Sequence, residues 1–280
     1  MRTKKIINGL IACSFLLGLV SCDDDLPAPD PGSGECNDEI LMAPYNSGLV
    51  AYYKFVSGSV SDYSGNGHDG SITGSVVSTS NPSGSADCAM EFPGTNTDYI
   101  SIPSHSDFDF DETTELSIVL WYKPVYVPGT AGDYRLLIGR DPGTGLRCPD
   151  TYGEYSLGTY DCMKPVFGLG TSRVWDGSFN PLLATYCDSL MMDYENSGWQ
   201  NLIAIFDPSE PVSKWEIYRN GVMTTDGSSI CGIPYTTVYN GDLVIGKNFV
   251  GAIDDIKVYN RVLTTSEITF LKGYVSPCCE

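Results

Sequence analysis

Helical periodicity appears once in the part of this chain that reads as folded. Thr264-Thr-Ser-Glu267 stands ahead of Ile268, Phe270 and Leu271, the capping-box order that opens a helix. From residue 49 to that point the chain reads as short strands broken by turns. Leu49 to Phe55, Cys88 to Phe92, Tyr99 to Ile102, Glu115 to Tyr122, Tyr134 to Arg140, Trp199 to Phe206, Lys214 to Arg219, Leu243 to Ile245 and Ala252 to Tyr259 carry the β-branched and aromatic residues that favour strands. Leu116, Ile118 and Leu120 alternate on one face. Asn220-Gly221, between Trp215-Glu-Ile-Tyr-Arg and Val222-Met223, is the strongest hairpin signal. Many strands and one short C-terminal helix predict an all-β fold, a two-sheet antiparallel sandwich. Residues 141–198 fit this pattern least. They are rich in Gly and Tyr and hold Cys148, Cys162 and Cys187. Beyond a candidate strand at Phe167-Gly-Leu-Gly170 they read as a long connection, where function often resides.

Residues 1–21 stand apart from the fold. Arg2, Lys4 and Lys5 precede an apolar run from Ile6 to Val20, which is too short for a membrane-spanning helix and suits a secretory leader. Leu19-Val20-Ser21-Cys22 resembles the bacterial lipobox, which implies a signal peptide over 1–21 and acylation at Cys22. Asp23 to Ala43 is acidic and rich in Pro and Gly, a flexible tether. Acidic residues after the acylated Cys resemble the export signal of Bacteroidetes surface lipoproteins. The expected location is therefore the outer membrane, lipid-anchored and facing outward; the other reading of these acids is a solvated linker. One folded domain is expected over 44–280, with the Cys-bearing insertion at about 141–198.

Charge narrows the partners. Sixteen basic residues against 35 acidic ones give a net charge of −19, and removing the leader makes it more negative. Such a chain repels phosphate backbones and anionic lipid, so no nucleic acid is expected and the membrane is reached only through the lipid anchor. Of ten cysteines, Cys13 and Cys22 belong to the leader and lipobox. Cys36, Cys88, Cys148, Cys162, Cys187, Cys231, Cys278 and Cys279 remain, an even set that reads as disulfides in an exported chain. Cys36 is expected to pair with Cys278 or Cys279, since a sandwich often brings its termini together. Cys148 and Cys162 would staple the loop between them. With no Cys-x-x-Cys and only two histidines, zinc has few ligands to draw on.

Several blocks together carry a family resemblance. Gly48-Leu-Val-Ala-Tyr-Tyr-Lys-Phe55 leads to Asp62-Tyr-Ser-Gly-Asn-Gly-His-Asp-Gly70. Then come Ala89-Met-Glu-Phe-Pro-Gly94, Asp98-Tyr-Ile-Ser-Ile-Pro103, Ser117 to Trp121 and Ile217-Tyr-Arg-Asn-Gly221. Leu243-Val-Ile-Gly246 and Gly251-Ala-Ile-Asp-Asp-Ile-Lys-Val-Tyr-Asn-Arg-Val-Leu263, with Glu267-Ile268, close the set. In this order they resemble bacterial laminin G-like domains of the concanavalin A-like lectin/glucanase superfamily. The resemblance implies a jelly roll; the long 141–198 stretch departs from the usual pattern.

Two sites are expected. Strict alternation on the closing strand places Asp254 on one face with Ile256 and Val258. A carboxylate among core aliphatics needs a cation or donors. Asp62 and Asn66 offer side-chain oxygens in a Gly-rich loop, and all-oxygen ligands suit Ca²⁺. The resemblance implies the same, since such domains often hold a structural calcium between the early loop and the closing strand. The expected ligands are Asp62, Asn66, the His68 carbonyl and Asp254. The other reading makes Asp62 to Gly70 a hydrogen-bonded turn and lets Asp254 accept backbone N–H groups. For sugar, which stacks on exposed aromatics, the candidates are Trp175, Tyr152, Tyr155, Tyr160 and Tyr186 of the insertion. Trp121, Trp199 and Trp215 lie in strands and read as core.

Catalysis is not expected. The glucanases of this architecture set carboxylates on one strand as Glu-x-Asp-x-x-Glu, the geometry glycoside chemistry needs. No Glu here is followed two residues later by Asp. Asp254 and Asp255, being adjacent, are expected on opposite faces. His68 and His105 read as unpaired loop residues. Gly-x-Ser-x-Gly, His-Glu-x-x-His and P-loop motifs are absent. The expected function is a non-catalytic, surface-displayed module that binds carbohydrate, for polysaccharide capture or adhesion. The alternatives are a structural or protein-interaction subunit of a surface complex and, further off, a divergent glycoside hydrolase.

Overall fold

The structure is a computed structural model; it describes residues 42–111, 113–125, 127, 134–140, 155–160, 164–169, 172–175, 198–211, 215–224 and 241–277. The strands are Leu49–Tyr53 (β1), Ser71–Thr73 (β2), Val77–Thr79 (β3), Ala89–Pro93 (β4), Tyr99–Ile102 (β5), Leu116–Pro124 (β6), Arg135–Gly139 (β7), Tyr155–Tyr160 (β8), Lys164–Leu169 (β9), Ser172–Trp175 (β10), Gln200–Phe206 (β11), Trp215–Arg219 (β12), Val222–Met223 (β13), Leu243–Ile245 (β14) and Val250–Tyr259 (β15). One α-helix, Thr265–Leu271 (α1), follows them.

The strands form two antiparallel sheets. The first runs β13-β12-β11-β6-β15-β4-β3, with β1 also paired to β15, and the second runs β10-β9-β8-β7-β14-β5-β2. This is the expected all-β sandwich. Leu116, Ile118 and Leu120 of β6 fill the core between the sheets as their alternation predicts, with Tyr53, Phe92, Ile100, Phe206, Ile253, Ile256 and Val258. The outer face of the first sheet is buried as well. Val119, Ile203, Ile205 and Tyr259 pack there against Leu263, Ile268 and Leu271, so α1 covers the middle of that sheet. Its capping box is present, with Thr264 accepting from the Glu267 N–H and Glu267 accepting from the Thr264 N–H. Asn220 and Gly221 both take positive φ, 51° and 75°, and close the β12–β13 hairpin.

Two features depart from expectation. The insertion supplies β8, β9 and β10, three consecutive strands that extend the second sheet. Tyr155, Leu157, Phe167 and Leu169 from β8 and β9 enter the core. The second departure is a bulge in β15. Asp254 pairs with Trp121 but Lys257 pairs with Val119, one residue too many on β15, and Asp255 takes φ 54°. A bulge of this kind shifts the alternation by one.

Candidate functional site

The bulge overturns the face assigned to Asp254. Cross-strand partners share a face, and Asp254 stands opposite Trp121. Trp121 lies between the core residues Leu120 and Tyr122, so it points away from the core, and its Nε1 donates to the Tyr274 carbonyl at 2.8 Å. Asp254 is therefore on the outer face, not with Ile256 and Val258. Asp255 is on that same face, where it meets Lys257 Nζ at 2.5 Å and accepts from the Ser276 N–H and hydroxyl. The two acids are neighbours rather than opposed. Both are 1% exposed, so this pair is closed to a bulky substrate. Asp254 Oδ1 accepts the Asp255 N–H at 2.7 Å, while its buried Oδ2 has no hydrogen-bond partner among the described residues. Burial, then the charge of Asp255, holds the Asp254 carboxyl well above the usual carboxylate range, against the opposing Asp255 N–H and Lys257.

The glycine-bearing loop does something else. Among the described residues β1 pairs with β15 alone, and residues 62–66 run along its other edge. Asp62 Oδ1 accepts the N–H of Tyr52 at 2.9 Å and that of Ser64 at 2.9 Å. Asp62 Oδ2 accepts from the Ser64 hydroxyl at 2.8 Å and the His68 N–H at 3.0 Å. Asn66 Nδ2 donates to the Leu49 and Val50 carbonyls at 3.0 and 2.9 Å. The His68 carbonyl accepts from the Tyr53 hydroxyl at 2.8 Å. The loop thus satisfies the backbone groups of an edge strand. Asp62 lies beyond β1, two strand spacings or roughly 10 Å from β15, and Asp254 is further along that strand. Ligands of one calcium lie within about 5 Å of one another. Asp62, Asn66, His68 and Asp254 do not fit the expected cage.

Of the expected sugar contacts, Tyr155 is 1% exposed and packs edge-on against Phe110 at 5.3 Å. It is a core residue, because β8 belongs to the sheet. Trp175 ends β10, paired with Val166, and Tyr160 ends β8, paired with Lys164. Tyr152 and Tyr186 lie outside the described residues, as do Cys22, Cys36, Cys148, Cys162, Cys187, Cys231, Cys278 and Cys279. Cys88 is buried and disulfide-bonded. Trp121, Trp199 and Trp215 are half-buried, with Trp215 against the core at Phe206.

A cluster invisible in the linear sequence joins the chain's two histidines. The turn Ser106–Phe108 follows β5 and is capped by His105, whose Nδ1 accepts the Asp107 N–H at 3.2 Å. His68 Nε2 lies 3.0 Å and His105 Nδ1 lies 3.3 Å from Asp107 Oδ2. The two imidazole centroids are 4.7 Å apart, and the Phe108 ring packs tilted against His68 at the same distance. The His68 side chain is 5% exposed, those of His105 and Asp107 about half. No motif spacing signals this, since the two histidines lie on different loops.

The comparisons agree with this architecture. No curated protein matches the sequence. Among solved structures, the binding domain of Paraclostridial Mosquitocidal Protein 1 is similar at TM-score 0.60 and 15% identity, over 81% of this chain and 52% of that one. A botulinum neurotoxin type C structure, described through the dependence of its cell entry on two ganglioside molecules, is similar at TM-score 0.57 and 14% identity, over 82% and 52%. The binding domain of botulinum neurotoxin DC, solved with rat synaptotagmin II, is similar at TM-score 0.54 and 14% identity, over 81% and 51%. The chain spans about half the length of each, and at such identities the likeness concerns fold. The family match is independent of these: residues 94–269 fit Laminin_G_3, described as concanavalin A-like lectin/glucanases superfamily. Those residues contain the β6 alternation, the Asn220-Gly221 hairpin, β15 and most of α1, so the chain belongs to the Laminin_G_3 family.

Proposed function

We propose that this protein is a non-catalytic binding module, held at the bacterial surface by an acylated Cys22, that captures carbohydrate. The observation that carries the reading is the fold. The family is concanavalin A-like; one similar structure is described as a binding domain, and another belongs to a neurotoxin whose cell entry is described as dependent on two ganglioside molecules. The leader and acidic tether support export and display. The buried position of Asp254 and Asp255 supports a role without glycoside cleavage. The insertion strands β8 to β10 form one end of the second sheet, and Trp175 on β10 is the first residue to test. A glycan array probed with residues 36–280, the unit holding the described fold, is expected to show binding that Trp175→Ala weakens at least tenfold. A silent array would overturn the carbohydrate reading. It would favour a protein partner, a reading supported by the similar domain solved with synaptotagmin II.

A further inference from the structure

The cluster at His68, His105 and Asp107 has a geometry that hydrogen bonding alone does not require. A chain of 280 residues with only two histidines brings both imidazoles onto one carboxylate. The ligand atoms of the three side chains lie within 4.8 Å of one another, and the two distances to Asp107 Oδ2 are 3.0 and 3.3 Å. Bonds of about 2.0–2.1 Å in a tetrahedral zinc site put neighbouring ligand atoms about 3.3 Å apart. The two distances to Asp107 match that spacing, and rotation of the half-exposed His105 and Asp107 side chains would close the three atoms around a small first-row cation. Two imidazoles and one carboxylate suit zinc and its neighbours rather than calcium, which takes six to eight oxygens. His68 is fixed, its ring against Phe108 and its backbone N–H bonded to Asp62. His105 and Asp107 are half-exposed, which leaves a path for the ion and room for water as a further ligand. A strongly negative chain raises the local concentration of cations.

We infer that His68, His105 and Asp107 form a binding site for one divalent transition-metal ion, open to solvent on one side. When bound, the ion replaces the Asp107 N–H at His105 Nδ1 and ties the loop along β1 to the turn after β5. It thereby adds a clamp to two connections already joined by the hydrogen bonds and ring contacts among His68, His105, Asp107 and Phe108.

The test uses the full chain without a polyhistidine tag, stripped by chelator and titrated with Zn²⁺ and separately with Ca²⁺ by calorimetry. One Zn²⁺ per chain is expected, with binding weakened at least tenfold in both His105→Gln and Asp107→Asn. His105 and Asp107 are half-exposed, so both variants are expected to fold, and unchanged far-ultraviolet circular dichroism checks this. With two histidines the ring ¹H–¹⁵N spectrum contains two imidazole systems, and Zn²⁺ is expected to shift both. Zn²⁺ is also expected to raise the melting temperature of the wild type but not of His105→Gln. Absence of Zn²⁺ binding, equal affinity in the variants, or ring signals unmoved by Zn²⁺ would each overturn the site, as would a preference for Ca²⁺.

Discussion

Asp254 shows how one residue can be right in chemistry and wrong in place. The sequence marks it as an acid in a strand of aliphatics, and it is indeed buried, 1% exposed. The β15 bulge turns it outward beneath the segment after α1, where it meets Asp255 and Lys257 instead of the early loop. Its carboxyl pKa is raised, by burial first and by the Asp255 charge second. A group whose folded value exceeds its unfolded value, about 3.9, holds a proton in the native state that the unfolded chain has released. It therefore stabilises the fold at low pH, and that contribution is lost as pH rises through the folded value. Asp254→Asn keeps an acceptor for the Asp255 N–H and removes the ionisation. The variant is expected to match the wild type near pH 4 and to exceed it increasingly towards pH 8. The gain should grow with pH until the native carboxyl itself ionises, and then level off. Denaturant unfolding across that range checks it; parallel curves would show that the residue does not titrate. The bulge was illegible because one extra residue in a strand leaves no compositional trace, and Asp255 at φ 54° looks like any other strand acid. The two histidines were illegible for a different reason. Each reads as a loop residue, and only the packing of two loops brings them together.

Elements whose signals are local are legible in the sequence. Asn220-Gly221 specifies its turn because both residues tolerate positive φ, and the register of β12 on β13 follows. The Thr264–Glu267 box forms as expected, and Arg261 adds to it through two guanidinium contacts to Glu267, at 2.9 and 2.5 Å. α1 is a seven-residue helix, too short to persist by propensity. It depends on its cap and on Ile268 and Leu271 against the outer face of the first sheet. Thr264→Ala removes the acceptor for the Glu267 N–H and is expected to cost about 1 kcal/mol. Because Glu267 also bonds Arg261, the double variant Thr264→Ala/Arg261→Ala should lose less or more than the sum of the single losses. Urea midpoints of the three variants measure this, and strict additivity would mean that cap and ion pair act independently. The short edge strands β2 and β3, one in each sheet, leave no sequence signal because Ile72 and Val77 are exposed and show no buried face for alternation to reveal.

At the scale of the molecule, the question is whether residues 141–198 decorate the sandwich or complete it. Their Gly, Tyr and Cys content resembles a loop, and loops tolerate change. Yet β8 pairs antiparallel with β7, with one irregularity between Leu136 and Ile138, and β9 pairs with β8 in unbroken antiparallel register. Tyr155, Leu157, Phe167 and Leu169 are 0–2% exposed in the shared core. Gly158 lies where an added Cβ would meet the Arg135 carbonyl and the Tyr134 ring, so its lack of a side chain lets β8 close on β7. Glycine here serves packing rather than flexibility, which is why composition misled. A core aromatic cut to alanine costs about 3–5 kcal/mol, whereas a side chain on a peripheral loop costs well under 1 kcal/mol. Phe167→Ala is therefore expected to destabilise the whole protein by about 3–5 kcal/mol, in one transition with the rest of the fold. Urea unfolding followed by tryptophan fluorescence and by circular dichroism checks both the size and the cooperativity. A small loss, or an early separate transition, would mean that the insertion is an appendage and that the sandwich proper ends at β7. A full loss would mean that Trp175 stands on a sheet as rigid as the core, a platform suited to holding a ligand.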